Sequence, residues 1–359
     1  ARIAYLDKNS DRFFEVLFGA AKANDVMVAV NWRLAPPEVA YVINDAMAEV
    51  VFVGQDFFPV IEKVLPELRT VKKVIAIDAP RDGWEYYPDW RDAQPAEDPR
   101  VPVAEDDVAI QMYTSGTTGH PKGAQLTNGN FFALLPGATR EWGPRWSTDD
   151  VNLVCMPLFH IAGSGWGIVG LYAGAKDIIL RDVIPPEILK VIPQYGVTRA
   201  LFVPAVLLFL LQTPGVQETD FSTLKFIANG ASPIPLDLLL NSIATFKCDF
   251  AQLYGLTETT GAVTYLPPED HDPNGNKRMR SCGRPIAGVE IRVVDAEGND
   301  VPVGQVGEII CRTKQVMKGY WNRPEETAKA IRNGWFYTGD AGYLDEDGYL
   351  YIHDRVKDM

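Results

Sequence analysis

Residues 113–122 read YTSGTTGHPK, one lysine behind two glycines, three threonines and a serine. Glycine permits positive φ and close approach, so successive backbone N–H groups can converge on an anion. The hydroxyls add donors and Lys122 adds a charge, a set suited to a polyphosphate. The spacing is not that of the usual nucleotide loop, in which the lysine directly follows the second glycine. Here Gly119 and Lys122 are three apart. By composition alone, a solvated surface loop accounts for the stretch equally well.

Three other places carry chemistry-bearing residues. In QLYGLTETTG (252–261), Tyr254 offers an aromatic face to a base, and Thr257 and Glu258 offer hard oxygens to Mg²⁺. The same residues also read as a helix start, with Thr257 as N-cap and Glu258 near the positive end of the dipole. Asp340, in YTGD, is placed to accept hydrogen bonds from a pair of ribose hydroxyls, or is a turn aspartate. His160, in PLFHIAGSGWG, is flanked by apolar residues and a glycine-rich stretch, which suits packing as well as catalysis. Ser164 lies outside any G-x-S-x-G pattern, so a hydrolase is rejected. The acidic run DEDG (345–348) misses the calcium-loop register and reads as a hairpin turn.

The elements that must hold these residues follow from patterning. Short β-branched runs at 49–54, 72–77, 107–113, 150–156, 176–180 and 199–203 alternate with helix-like stretches such as 37–47 and 186–196. This is the signature of α/β units with largely parallel sheets. After about residue 285 the pattern becomes hairpin-like, over 288–312 and 335–355. Residues 80–106, rich in Pro, Asp and Arg, read as a connection. The run ALFVPAVLLFLL from Ala200 is too short and too interrupted to span a bilayer. It reads as a buried strand ending at Pro204, then a core helix.

With 359 residues, 47% hydrophobic and 23% charged, the chain predicts at least two packed units. A formal net charge of −13 without a long basic run argues against nucleic acid or anionic lipid as partner. Cys155, Cys248, Cys282 and Cys311 have neither metal-ligand nor framework spacing. They are expected as buried free thiols in a reducing cytoplasm.

Taken in order, YTSGTTGHPKG, PLFH, NGASPI (229–234), YGLTETTG and YTGDAGYLDEDGYLYIHDRVKDM resemble the motif series of the adenylate-forming superfamily: acyl-CoA synthetases, luciferases and peptide-synthetase adenylation domains. The resemblance runs the length of the chain. It implies a large adenylation domain: an α/β subdomain over 1–100, incomplete at its N-terminus, a second over 101–284, and a β-rich, barrel-like subdomain over 285–355. Residues 356–359 would begin a hinge. By position it implies that Thr114, Ser115, Gly116, Thr117, Thr118, Gly119 and Lys122 hold the β- and γ-phosphates of ATP. Gly230, Ala231 and Ser232 would line the adenine, with Tyr254 stacked on it and Gly255 in the same nucleotide-binding set. Thr257 would contact the α-phosphate, Glu258 with Thr114 would hold Mg²⁺, and Asp340 with Arg355 would bind the ribose. His160, beside Phe159, matches the gate to the acyl pocket; with Thr114, Lys122 and Glu258 it makes up the catalytic set.

The implied reaction has two halves: a carboxylate attacks the α-phosphate of ATP to give acyl-AMP and pyrophosphate, then the thiol of CoA displaces AMP. Family members carry a further stretch at the N-terminus and a mobile C-terminal domain beyond a hinge aspartate, matched by Asp358. The chain is therefore expected to be a truncated large domain that binds ATP or acyl-AMP and turns over poorly alone. Segments 160–167 and 259–266, which border the acyl pocket in the family, are dominated by small residues and lack an obvious carboxylate for an ammonium. The expected acid is a medium- or long-chain fatty acid, then an aromatic acid such as a coumarate or benzoate, with Trp166 capping or shortening the channel. Alternatives are an acyl-AMP ligase serving a carrier protein, a phosphotransferase, and an adenylate-binding module without catalysis.

Overall fold

The computed structural model describes residues 1–115 and 119–356. Seven strands of the first sheet are β1 (Arg2–Leu6), β2 (Val26–Ala29), β3 (Val50–Val53), β4 (Lys73–Ala76), β5 (Glu85–Tyr86), β6 (Val108–Thr114) and β7 (Lys122–Thr127). Their order is β7-β6-β2-β1-β3-β4-β5. All neighbours are parallel except β6 and β7, which form an antiparallel hairpin. Helices α1 (Asp11–Lys22), α2 (Pro36–Asp45), α3 (Phe58–Val64) and α4 (Tyr87–Asp92) make the connections. The strands are near-continuous apolar runs because both faces are covered. Ala4 and Leu6 point into one core with Val28 and Val51, whereas Tyr5 points the other way into a core shared with the second sheet.

The second sheet has the order β14-β13-β12-β11-β10-β8-β9. It comprises β8 (Val151–Val154), β9 (Lys176–Ile179), β10 (Arg199–Phe202), β11 (Phe226–Gly230), β12 (Asp249–Leu256), β13 (Gly261–Leu266) and β14 (Arg284–Pro285). It is parallel up to β12; β13 and β14 are added antiparallel. Helices α5 (Asn128–Glu141), α6 (Ile161–Ala173), α7 (Pro185–Tyr195), α8 (Pro204–Gln212) and α9 (Leu236–Phe246) complete this unit. The run from Ala200 divides at Pro204 as its pattern predicts, but α8 leaves Leu208 and Phe209 exposed, so it is half-buried rather than a core helix.

The remaining elements are β15 (Glu290–Val294), β16 (Gly307–Arg312), β17 (Gly319–Tyr320), α10 (Pro324–Ala330), β18 (Ile331–Arg332), β19 (Trp335–Leu344) and β20 (Leu350–Arg355). Except for β17 the strands form a curled antiparallel sheet in the order β15-β16-β19-β18, with β20 also on β19. Strand β17 leaves this unit and pairs with β7, becoming the eighth strand of the first sheet. The subdomain boundary expected at residue 100 falls between β5 and β6, two strands of that same sheet. Over 80–106 the chain adds the edge strand β5 and helix α4, and it re-enters the same sheet as β6, parallel to β2.

All four cysteines are free; Cys155 and Cys311 are buried, Cys248 and Cys282 half-buried. Burial pushes the Cys155 and Cys311 thiols up to about 12. Among the described residues no helix is long and apolar enough to cross a membrane.

Candidate active site

Thr114 ends β6 and Lys122 opens β7, and the two are cross-strand partners. The hairpin thus fixes both ends of the serine- and threonine-rich loop. Ser115 is exposed, and Gly119 has φ 96°, a left-handed conformation that glycine adopts without strain. Gly116, Thr117 and Thr118 lie outside the described residues, as does Asp358.

A second hairpin faces the first. Strand β12 runs to Leu256, a single 3₁₀ turn covers Thr257–Thr259, and β13 leaves at Gly261. The helix-start reading of Thr257 fails: Leu256 occupies the cap position and donates its N–H to Thr259 Oγ1 at 2.9 Å. The physical reason is Gly255, where a Cβ would overlap the carbonyl of Gly261, so the two strands close on each other and leave no room for a helix. The turn buries Glu258, and one of its carboxylate oxygens accepts Thr114 Oγ1 at 3.0 Å and the Tyr320 hydroxyl at 2.9 Å. Lys122 Nζ lies 2.7 Å from the Glu326 carboxylate and 4.4 Å from the centre of the Tyr320 ring.

Beyond this cluster lies a second. Strand β11 ends at Gly230, beside Leu253 of β12, and is followed by the exposed residues Ala231 and Ser232. Ala231 has φ 66°, a strained conformation for a residue with a Cβ. Tyr254 is buried and donates its hydroxyl to Asp340 Oδ2 at 2.8 Å. Asp340 is not a turn aspartate: it lies within β19, 6% exposed, opposite Arg355 of β20. Arg355 Nε is 3.0 Å from the other carboxylate oxygen. Burial raises the Asp340 pKa, against the pull of the Tyr254 hydroxyl and the Arg355 charge. Burial and the neighbouring Asp340 charge hold the Tyr254 phenol well above its ordinary value, so it stays protonated and donates.

The third group lies at the start of α6. His160 precedes the helix, and its ring is 4.3 Å from that of Phe159. His160 is exposed overall, although its surroundings partly desolvate the imidazole. Desolvation, with the Arg33 charge as a smaller contribution, lowers its pKa, so the neutral ring prevails at pH 7. Ile161 approaches Gly261, which places α6 beside the second hairpin. At Gly165 a Cβ would meet only Ile161, at ordinary contact distance, so this point of the helix has room for a methyl group. Trp166, expected to cap the channel, is buried edge-on against Trp146.

Sequence reasoning missed three residues at these clusters. Asn9 is buried and accepts from Leu158 N at 2.9 Å while donating to Met156 O at 3.0 Å, pinning the loop before His160. Tyr320 and Glu326 reach the Thr114–Lys122 hairpin from far along the chain. Pro324 followed by two glutamates signals a helix start, but nothing local signals what Glu326 pairs with.

Among the described residues no group of three or more His, Cys, Asp or Glu side chains is arranged around a common metal position. A buried carboxylate with the Thr114 hydroxyl beside it, and that of Tyr320 as a second neighbour, does suit Mg²⁺, which is commonly bound by one or two carboxylates, water and substrate phosphates.

Two parallel-rich α/β sheets and a curled antiparallel sheet, with a hydroxyl-rich hairpin facing a buried glutamate, define an adenylate-forming ligase domain. The chain belongs to the AMP-binding enzyme family, which matches residues 1–321. It is 40% identical to a fatty acid–[acyl-carrier-protein] ligase, ScoC, of Streptomyces coeruleorubidus, over 99% of this chain and 68% of that protein. It is 34% identical to the long-chain-fatty-acid–CoA ligase FadD13 of Mycobacterium tuberculosis, over all of this chain and 69% of that one. The crystal structure of the anthranilate CoA ligase AuaEII with anthranoyl-AMP matches with a TM-score of 0.92 at 26% identity, covering all of this chain and 68% of that one.

Proposed function

We propose that the protein activates a carboxylic acid with ATP as its acyl adenylate and passes the acyl group to a thiol. The observation that carries this reading is the 3.0 Å hydrogen bond from Thr114 to Glu258, which joins the hydroxyl-rich hairpin of the first sheet to the buried acid of the second. Lys122, the described loop residues Thr114, Ser115 and Gly119, and the intervening 116–118 would hold the β- and γ-phosphates. Thr257 would meet the α-phosphate. Gly230, Ala231, Ser232, Tyr254 and Gly255 would form the adenine site, with Asp340 and Arg355 on the ribose hydroxyls. Glu258 and Thr114 would hold Mg²⁺, which when bound supplies charge neutralisation for the departing pyrophosphate.

In the first half-reaction the carboxylate oxygen bonds to the α-phosphorus and the bond to pyrophosphate breaks. No side-chain nucleophile is required. The residues act by alignment and by stabilising the charge that develops on the leaving group. In the second half a thiol adds to the acyl carbon and AMP leaves. Neutral His160, at the start of α6, stands as the gate between the adenylate and the acyl channel.

A medium- or long-chain fatty acid is the preferred substrate. Supporting it are the small residues Ala162 and Gly165 on α6 and the room left at Gly165. Asp177, the acid packed against this helix, lies further along it, at Gly167 and Gly170, with one carboxylate oxygen held by Asn152. An aromatic acid is the second reading, favoured by the match to the anthranoyl-AMP complex. CoA is the expected acceptor, and the 40% identity to an acyl-carrier-protein ligase favours a carrier protein as the alternative.

The test is ATP–pyrophosphate exchange with acids graded from benzoate and coumarate to long fatty acids, alongside thermal shift with matching acyl-adenylate analogues. Exchange that peaks at one fatty chain length and is lost in Asp340→Ala supports the reading. Analogue binding without exchange by any acid would favour a non-catalytic adenylate-binding module.

A further inference from the structure

Lys122 does not stand free in its hairpin. Its ammonium lies 2.7 Å from the Glu326 carboxylate, and both side chains are mostly withdrawn from solvent, 13% and 25% exposed. This is the one salt bridge Lys122 makes among the described residues. The contact is electrostatic rather than directed: the near oxygen, Glu326 Oε2, is buried and accepts no aligned hydrogen bond among the described residues. An ion pair without a directional bond is easily exchanged for another anion. The Tyr320 ring supplies the rest of the berth, 4.4 Å from the ammonium.

Glu326 is also built to lose its partner. It occupies the first turn of α10, where the positive end of the helix favours a carboxylate and offsets part of the loss when the ammonium departs. Its position is fixed by the frame around it. Tyr320 N donates to Thr327 Oγ1 at 2.9 Å, tying α10 to β17, and Arg323 pairs with Asp45 at 2.6 Å, tying it to the end of α2. Tyr320 in turn donates to Glu258 at 2.9 Å. One tyrosine therefore touches both the lysine and the acid facing Thr114.

We propose that Glu326 is the resting counter-ion of Lys122, yielding it to an arriving polyphosphate and recapturing it as pyrophosphate leaves. Glu326 then sets how tightly pyrophosphate is held. This is a positioning role, exerted through Lys122, and it rests on the reading of Lys122 as a phosphate-binding residue.

The test is titration calorimetry of the protein with inorganic pyrophosphate and magnesium chloride. Glu326→Gln removes the competing charge with little change in shape, and is expected to bind pyrophosphate roughly fivefold to tenfold more tightly. Glu326→Asp, with a shorter carboxylate, should fall between it and the parent. In a Lys122→Gln background Glu326→Gln should change affinity by less than about twofold, which separates competition for the lysine from a general loss of negative charge. A merely structural glutamate would weaken binding when replaced. Unchanged or weaker binding by Glu326→Gln overturns the proposal, as does equal tightening with and without Lys122. A parent protein that binds no pyrophosphate would instead overturn the phosphate-site reading beneath it.

Discussion

Replacing Tyr254 by phenylalanine separates the two roles assigned to that side chain. The ring, which would stack on adenine, remains; the hydroxyl, 2.8 Å from Asp340, is lost. Asp340 is buried and its pKa already raised, so it depends on its partners to stay ionised. Its other ionic partner, Arg355, is 55% exposed, so solvent screens that pair to ~1 kcal/mol at most. A hydrogen bond to a charged group is worth ~1.5–3 kcal/mol. The ligand-free variant should therefore be less stable by ~1–3 kcal/mol, a fall in apparent Tm of roughly 1–4 °C for a chain of this length. A bound ribose would bring hydroxyl donors of its own to Asp340. The deficit should then shrink when an acyl-adenylate analogue saturates the site, and thermal unfolding with and without analogue reads both terms. Equal losses in the two conditions would refute the assignment of Asp340 to the ribose. No loss in either would show that the hydroxyl does not support Asp340 at all.

Three further outcomes follow from other contacts. Burial pushes the Asp177 carboxyl up to about 7, restrained by its hydrogen bond from Asn152. The folded state thus binds the proton more tightly than the unfolded chain, and stability should decline as pH climbs from about 4 to about 7 and then level off. Asp177→Asn should flatten that decline, raising Tm at pH 8 far more than at pH 4, as denaturation followed across the pH range would show. Arg199 is fully buried beside Asp150 at 3.0 Å, so Arg199→Ala should destabilise by ~3–5 kcal/mol in urea titration; a loss under ~1 kcal/mol would contradict it. Thr114→Val removes one of the two hydroxyls on Glu258 while Tyr320 keeps the other. It should lower ATP–pyrophosphate exchange roughly tenfold or more with little change in Tm, and unaltered exchange would count against the site.

Local patterning made the strands and helices of the α/β part readable, because near-continuous apolar strands and amphipathic helices leave periodic traces. The β-rich character after residue 285 was equally plain from its turn residues. Two local readings failed for tertiary reasons. Thr257 carries a helix-cap signature, but the close approach of Gly255 to Gly261 turns the chain back as a hairpin. Asp340 sits amid turn-like neighbours, yet β16 and β20 flank it on both sides and draw it into a strand. The hydroxyl- and glycine-rich hairpin could be singled out by its composition and given a role only by the family resemblance, whereas its partners could not be read at all. Tyr320 and Glu326 meet Lys122 across some two hundred residues, and no spacing rule within one segment encodes such a meeting.

Strand β17 is only two residues long, yet it covers the outer edge of β7: Gly319 pairs with Gln125 and Tyr320 with Ala124. On either side Lys318 N donates to Gln125 O at 2.9 Å and Trp321 N to Gly123 O at 2.8 Å, while Arg2 lies over the Trp321 ring. During synthesis, β7 emerges roughly two hundred residues before the segment that covers it. At ~5–20 residues per second that interval lasts on the order of 10–40 s. Throughout it the nascent first sheet presents an uncapped row of N–H and C=O groups, a template for strand addition by other chains. The strand that carries Tyr320 to Glu258 also ends this window of aggregation risk on the ribosome.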